Sequence, residues 1–230
     1  MTNFRFSLFT KITTSTYLFL FVFGVLSILL LEHNHAFKGL SWHQALFDSL
    51  FQSATTRSAG LQTIDVSHFS DATNIIMSIL MFIGSSPSSV GGGIRTTTFA
   101  ILILFIINFN NTADKTGIKA FNREIHIMDI QRSFAVFTMA SILTFVSMII
   151  IAATEQGKLT FIQIFFEVMS AFGTCGLSLG ATDDISNLTK IVLMILMFIG
   201  RVGLISFIII LAGRKEPDKF SYPKERIQIG

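Results

Sequence analysis

Charge is scarce in this 230-residue chain: only 13% of it is Asp, Glu, Lys or Arg, against 51% hydrophobic residues. A water-soluble domain of this size carries about a quarter charged residues, so a soluble globular fold is excluded. Cysteine is nearly absent. The single Cys175 rules out an intramolecular disulfide and a cysteine-rich metal site. The five histidines and scattered acids form no metal-ligand spacing and no nucleophile–base pair, which leaves no footing for an intramembrane enzyme. Three prolines are present, and one of them, Pro87, stands in an unusual place.

Long apolar runs fill the remainder. Tyr17–Leu31, Arg132–Ala153 and Ile191–Ala212 approach the ~20 residues needed to cross a bilayer. The first run is followed by Glu32, His33 and Asn34 rather than by small residues, so it does not read as a cleaved signal peptide. The formal charge of +3 is unevenly spread. Arg5, Lys11, Lys115, Lys119, Arg123, Arg132, Arg214, Lys215, Lys219, Lys224 and Arg226 flank one alternate set of span ends. The other set has Lys38, Lys158 and Lys190. The positive-inside rule places both termini and the Asn108–Gln131 loop in the cytoplasm of a multi-pass cell-membrane protein. Beside spanning helices this basic clustering reports topology rather than nucleic-acid binding.

The chain also repeats itself at a shift of 116. Ile75–Gly84, "IIMSILMFIG", lies over Ile191–Gly200, "IVLMILMFIG", with seven of ten residues identical. In that register Gly60–Leu61 falls on Gly176–Leu177, Ser70 on Ser186 and Thr73 on Thr189. Each unit reads as span, short helix, polar loop, span. Unit one covers 1–110, with Lys11–Leu31, Trp42–Ala54, Thr55–Ser70 and Asp71–Phe109. A cytoplasmic connector takes 111–131. Unit two covers 132–213, with Gln131–Ala153, Thr160–Ala171, Phe172–Ser186 and Asn187–Ala212, and 214–230 form a cytoplasmic tail. The expected fold is therefore an all-α membrane protein of two tandem span–pore helix–span units.

The short helices have 12 or 13 residues, the length of a re-entrant segment or of an interfacial helix. Polar backbone at membrane depth is tolerated only where it lines water or is buried in protein. The loops "TTRSAGL" and "AFGTCGL" fit that requirement, since small residues around Gly60 and Gly176 let carbonyls turn toward one axis. Plain turns after short helices are the competing reading.

Four ordered motifs, "TTRSAGLQT", "GSSPSSVGGGIRTTTFA", "SAFGTCGLSLG" and "MFIGRVGLISF", resemble the Trk/Ktr/HKT superfamily of potassium transporters. The likeness is nearest the Ktr-type membrane subunit, over almost the whole chain. Such members resemble a potassium channel folded onto one chain, with four span–pore helix–span units. The resemblance implies a carbonyl filter for K+ at Thr56, Arg57, Ser58, Ala59 and Gly60 and at Phe172, Gly173, Thr174, Cys175 and Gly176. It implies potassium rather than sodium as the transported ion; flux is passive or ion-coupled, with sodium the candidate coupling ion, and no cofactor is expected. A cytoplasmic nucleotide-binding regulatory subunit is the implied partner, docking on the connector. Two units are present where the family has four. The chain therefore reads as the C-terminal half, units three and four, of a longer protein or split product, completed by the same chain or by a second copy in a homodimer. An inert half, or a scaffold with purely architectural repeats, is the alternative.

Between Ile75–Gly84 and Phe99–Ile107 the second span of unit one breaks. Ser85, Ser86, Pro87, Ser88, Ser89, Val90, Gly91, Gly92 and Gly93 interrupt it with missing donors and missing side chains. A lipid-facing break would strand backbone groups in hydrocarbon, so the loop should face the aqueous cavity below the filter and act as a gate. The resemblance implies the same role. A cytoplasmic turn and an anion-holding loop are the other readings, though no Gly-Lys-Ser/Thr follows. Arg201, the repeat counterpart of Ser85, is a charge inside an apolar run. It is expected to latch this loop by bonding its carbonyls and serine hydroxyls, or else to pair with an acid. Arg95 reads as a snorkelling residue. Arg57 should point behind the filter toward carbonyls, Asp48 or Glu167. Asp65, Asp71, Asp183 and Asp184 read as outer-loop acids that raise local cation concentration, or equally as solvated loop residues and, for Asp71, the acidic first turn of a helix.

Overall fold

The computed structural model describes residues 6–108, 118–121, 123–182 and 185–204. Its first long helix, α1 (Leu8–Glu32), is followed by the short α2 (Trp42–Thr55) and a single 3-10 turn at Val66–His68. Two half-length helices, α3 (Asp71–Phe82) and α4 (Thr96–Ile107), complete unit one. A two-stranded antiparallel hairpin, β1 (Ile118–Ala120) and β2 (Arg123–Ile125), leads into the second long helix, α5 (Ile127–Thr154). The short α6 (Phe161–Gly173) and then α7 (Asn187–Val202) follow.

Lengths sort these helices by task. With 25 and 28 residues, α1 and α5 are about 37 and 42 Å long, enough to cross a hydrocarbon core of ~30 Å. Helices α2 and α6 have 14 and 13 residues and cannot. Both start on a complete capping box: Ser41 with Gln44, and Thr160 with Gln163. Helices α3 and α7 start on Ser70 and Ser186, whose hydroxyls accept from the Thr73 and Thr189 N–H groups. Those four residues are the 116-register equivalents, so the repeat extends to the caps.

The expected break is present and wider than the glycines alone. Helix α3 stops at Phe82, and residues 83–95 are non-helical until α4 begins. Unit two differs from expectation. The span expected to run unbroken to Ala212 is interrupted after Val202, where Gly203 adopts φ +88, and Leu204 is helical again. Residues beyond 204 lie outside the described set. The connector segment contains a hairpin that the residues did not announce. Its hairpin pairs Ile118 with Ile125, Lys119 with Glu124 and Ala120 with Arg123. Ile118, Ala120 and Ile125 pack with Ile12, Ala100 and Ile130 at the base of α1, α4 and α5.

Helix α6 lies against α3, α5 and α7, with Val168, Ala171 and Phe172 buried beside Leu80, Ala140 and Leu196. A second cluster gathers Ile28, Met77, Met81 and Phe166 under the outer loops. Many other apolar side chains remain uncovered, among them Phe19, Phe145 and Phe198. This inside-out distribution is that of a protein whose outer surface meets lipid or further helices rather than water. Buried Ser133, Thr144 and Ser147 return their hydroxyls to carbonyls four residues back, so α5 carries no orphaned hydroxyl at those points.

Candidate functional site

Each short helix delivers a non-helical strand, and the two strands meet. Ser58 and Thr174, equivalent positions of the repeat, face one another. The Ser58 hydroxyl donates to the Thr174 carbonyl at 3.1 Å and lies 3.3 Å from its hydroxyl. The Cys175 thiol donates to the Thr56 carbonyl at 2.9 Å. Gly60 (φ +69) comes so close to the Cys175 carbonyl that a Cβ there would overlap it. Gly176 (φ +89) faces Gly60, and a Cβ there would make ordinary contact with the Gly60 Cα at 3.7 Å.

Exposure divides the ten expected filter residues into two sets. Ser58, Ala59, Gly60, Thr174 and Gly176 keep surface on the face left open between the units. Thr56, Arg57, Phe172, Gly173 and Cys175 are buried behind them. Each short helix also fixes its own exit segment. In unit one Thr55 bonds both the carbonyl and the N–H of Leu61, and Gln52 reaches the Ile64 carbonyl. In unit two the Glu167 carboxylate accepts from the Ser178 hydroxyl, the Leu179 N–H and the Thr182 hydroxyl.

Arg57 does point behind its strand, but to neither acid considered for it. Its guanidinium donates to the carbonyls of Ile83 at 2.7 Å and Gly84 at 3.4 Å, capping the negative C-terminal end of α3. The ring of Tyr17 lies 5.9 Å away. Glu167 is engaged with its own loop. One side chain thus ties the unit-one strand to the point where the helix breaks.

The segment Ser85–Gly93 forms a loop closed at its base by the Ile94 N–H to the Phe82 carbonyl. Its tip, Ser88 to Val90, is exposed, while Gly91 and Gly92 are buried against the two strands, beside Ser58 and Thr174. The Gly92 N–H donates to the Thr174 hydroxyl at 2.9 Å, and the Gly93 N–H to the Phe172 carbonyl at 3.1 Å. Glycine is required at these points. A Cβ at Gly92 would come 2.8 Å from the Thr174 side chain, and one at Gly84 would overlap the Gly92 carbonyl.

The arginine that holds this loop is not the expected one. Arg95 donates to the carbonyl of Gly91 at 2.8 Å, to that of Ser89 at 3.3 Å and to the Ser85 hydroxyl at 3.3 Å. Arg201 is exposed in the last turn of α7 and makes no hydrogen bond among the described residues. The reason is reach. Arg95 is the N-cap residue of α4, four positions from Gly91, so its side chain folds back under the loop. Arg201 still lies near enough for the two like charges to act on one another.

Sequence reasoning missed two carboxylates. Glu32, at the end of α1, accepts from the Ser70 N–H and hydroxyl and from the Thr73 hydroxyl. Glu155, just past α5, accepts from the Ser186 N–H and the Thr189 hydroxyl. Each thereby binds the first span of its unit to the N-terminus of the second. They lie 123 residues apart rather than 116, so the register that exposed the repeat conceals them. Of the outer acids, Asp65 caps the 3-10 turn through the Ser67 N–H, which holds its carboxyl below the usual range. Asp71 opens α3. Asp183 and Asp184 lie outside the described residues. No group of three or more metal-binding side chains occurs among the described residues.

Known proteins resemble this chain in sequence and fold. Residues 2–222 match the family model TrkH, described as a cation transport protein. Ktr system potassium uptake protein D of Bacillus subtilis is 52% identical over 229 residues, 99% of this chain and 50% of that protein. Potassium/sodium uptake protein NtpJ of Enterococcus hirae is 33% identical, covering 98% of this chain and 51% of its own. The chain thus spans about half the length of the curated relatives it matches. The fold matches the crystal structure of the potassium transporter TrkH from Vibrio parahaemolyticus with a TM-score of 0.71 at 20% identity, over 88% of this chain and 45% of that one. This all-α membrane chain belongs to the TrkH family of cation transport proteins.

Proposed function

We propose that the chain supplies two of the four pore units of a potassium uptake protein. Unit one is 1–110 and unit two 132–213, joined by a cytoplasmic connector, with both termini cytoplasmic. Potassium passes the strands Thr56–Gly60 and Phe172–Gly176, and the loop Ser85–Gly93 closes the path beneath them. Arg95 tethers that loop, and Arg201 adds a second positive charge at its side. The observation that carries this reading is the meeting of two repeat-equivalent strands at Ser58 and Thr174, with a glycine loop bonded directly below. Backbone at membrane depth needs an aqueous path or protein cover, and carbonyl rings exchange for a cation's hydration shell. The relatives' names, potassium uptake and potassium/sodium uptake, agree on monovalent alkali cations as the ion class.

Two strands surround only part of an ion. The remaining two units come from the rest of a longer chain or from a second copy, and a nucleotide-binding subunit docks on the connector side. The process is translocation, with no covalent step and no cofactor. The test is growth at low potassium of a bacterium lacking its own uptake systems, supplied with the complete protein that carries these two units. Rescue that is lost in Gly176→Ser, with potassium uptake falling relative to sodium uptake, is expected. Absence of rescue by a well-expressed complete protein overturns the reading in favour of an architectural half.

A further inference from the structure

The closed loop rests on an oxygen at the inner end of the unit-two strand. Thr174 adopts the left-handed conformation (φ +50) directly after α6, and its hydroxyl stands on the partly open face beside Ser58. That oxygen accepts the Gly92 N–H at 2.9 Å, while Ser58 donates to the carbonyl of the same residue. A hydroxyl oxygen accepting an N–H has turned a lone pair toward that donor, and an ion ligand uses the same lone pairs.

We propose that the Gly92 N–H and a permeating monovalent cation compete for the Thr174 hydroxyl oxygen, making Thr174 the positioning residue that links filter occupancy to loop release. The inference rests on the proposed pore. An ion arriving at the inner end of the filter weakens the loop's hold, and a closed loop weakens that ion site by the same factor. The neighbouring bond from Gly93 to Phe172 has a different character. Phe172 is fully buried, and its carbonyl abuts Gly200 of α7, where a Cβ would overlap it. That bond anchors the loop without involving an ion. Of the two bonds that join loop to strand, only the one to Thr174 is sensitive to cations.

Hydrogen–deuterium exchange of the peptide spanning 85–95 tests this on the complete transporter in nanodiscs, in potassium chloride and in choline chloride. In the parent protein, potassium should speed exchange at Gly92. Thr174→Val should speed exchange in choline by about five-fold, the ratio that one net hydrogen bond sets, and should abolish the potassium effect. Thr174→Ser, which keeps the hydroxyl, should behave as the parent. Unchanged exchange in Thr174→Val overturns the proposal, as does a parent insensitive to potassium. A serine variant that behaves like the valine variant also overturns it, since the effect is then one of packing. Potassium flux through the same preparations separates this from the pore reading. No flux in the parent sinks the pore, whereas flux with cation-independent exchange sinks only the competition.

Discussion

Ser58 and Thr174 occupy one position of a repeat, 116 residues apart, and are hydrogen-bonded to each other at 3.1 Å. A repeat whose equivalent residues touch is arranged about an axis that runs between them. The rest of the site follows from that axis: glycines where strands approach, bulky residues behind, and a loop under the inner end.

The two filter glycines should differ in their tolerance of a methyl group. Both have positive φ, where a side chain costs about 1–2 kcal/mol. Gly60→Ala also drives its Cβ into the Cys175 carbonyl, whereas at Gly176 the nearest atom is the Gly60 Cα at 3.7 Å. Gly60→Ala is expected to lose both thermal stability and potassium uptake, and Gly176→Ala to retain most stability. Melting curves and uptake on the same preparations check the order.

Gly84 and Gly200 are repeat equivalents with different neighbours. A Cβ at Gly84 would overlap the carbonyl of Gly92, in the loop. One at Gly200 would overlap the carbonyl of Phe172, in the filter strand. Gly84→Ala should therefore push the loop away and raise passive potassium flux. Gly200→Ala should displace the filter and lower flux or blur its preference for potassium over sodium. Flux measured with each ion in turn distinguishes the two variants.

Glu155 fixes the pH range over which unit two holds together. Hydrogen bonding by Ser186, then by the Thr189 hydroxyl, keeps its carboxyl down to about 2 from an ordinary 4.5. A folded value below the unfolded one gives stability present in full above the unfolded value and lost as pH falls toward the folded one. Thermal midpoints should show no pH dependence from this group between pH 5 and 8, where its stabilisation is present in full, and a decline on acidification below about 4.5. Glu155→Gln should flatten that acid decline and lower the midpoint at pH 7. An acid limb identical to the parent's would assign it to other carboxyls.

Much of this architecture was legible in the residues. The gapless repeat revealed two units, and the lengths of "WHQALFDSLFQSA" and "TFIQIFFEVMSA" marked the helices that cannot span. Pro87 with Gly91–Gly93 located the break, because both residue types remove what a helix needs. Contacts across the fold were not legible. Arg95 read as snorkelling because its partners are loop carbonyls, which have no sequence signature, while Arg201 drew attention by lying in an apolar run. Glu32 and Glu155 were hidden because unit one has seven more residues than unit two between that carboxylate and its partner serine, Ser70 or Ser186. The hairpin Ile118–Ile125 was unreadable because three-residue strands are too short to show an alternation. Gly203 interrupts α7 where hydrophobicity alone implied an unbroken run.

Passive potassium flux through proteoliposomes of the complete transporter, compared between the parent and Arg95→Gln, tests the central claim that Ser85–Gly93 is the gate. Losing hydrogen bonds from a charged donor, worth about 1.5–3 kcal/mol net, should raise flux about ten-fold, with Arg201→Gln changing it less. A folded Arg95→Gln protein whose flux equals or falls below the parent's would contradict the account.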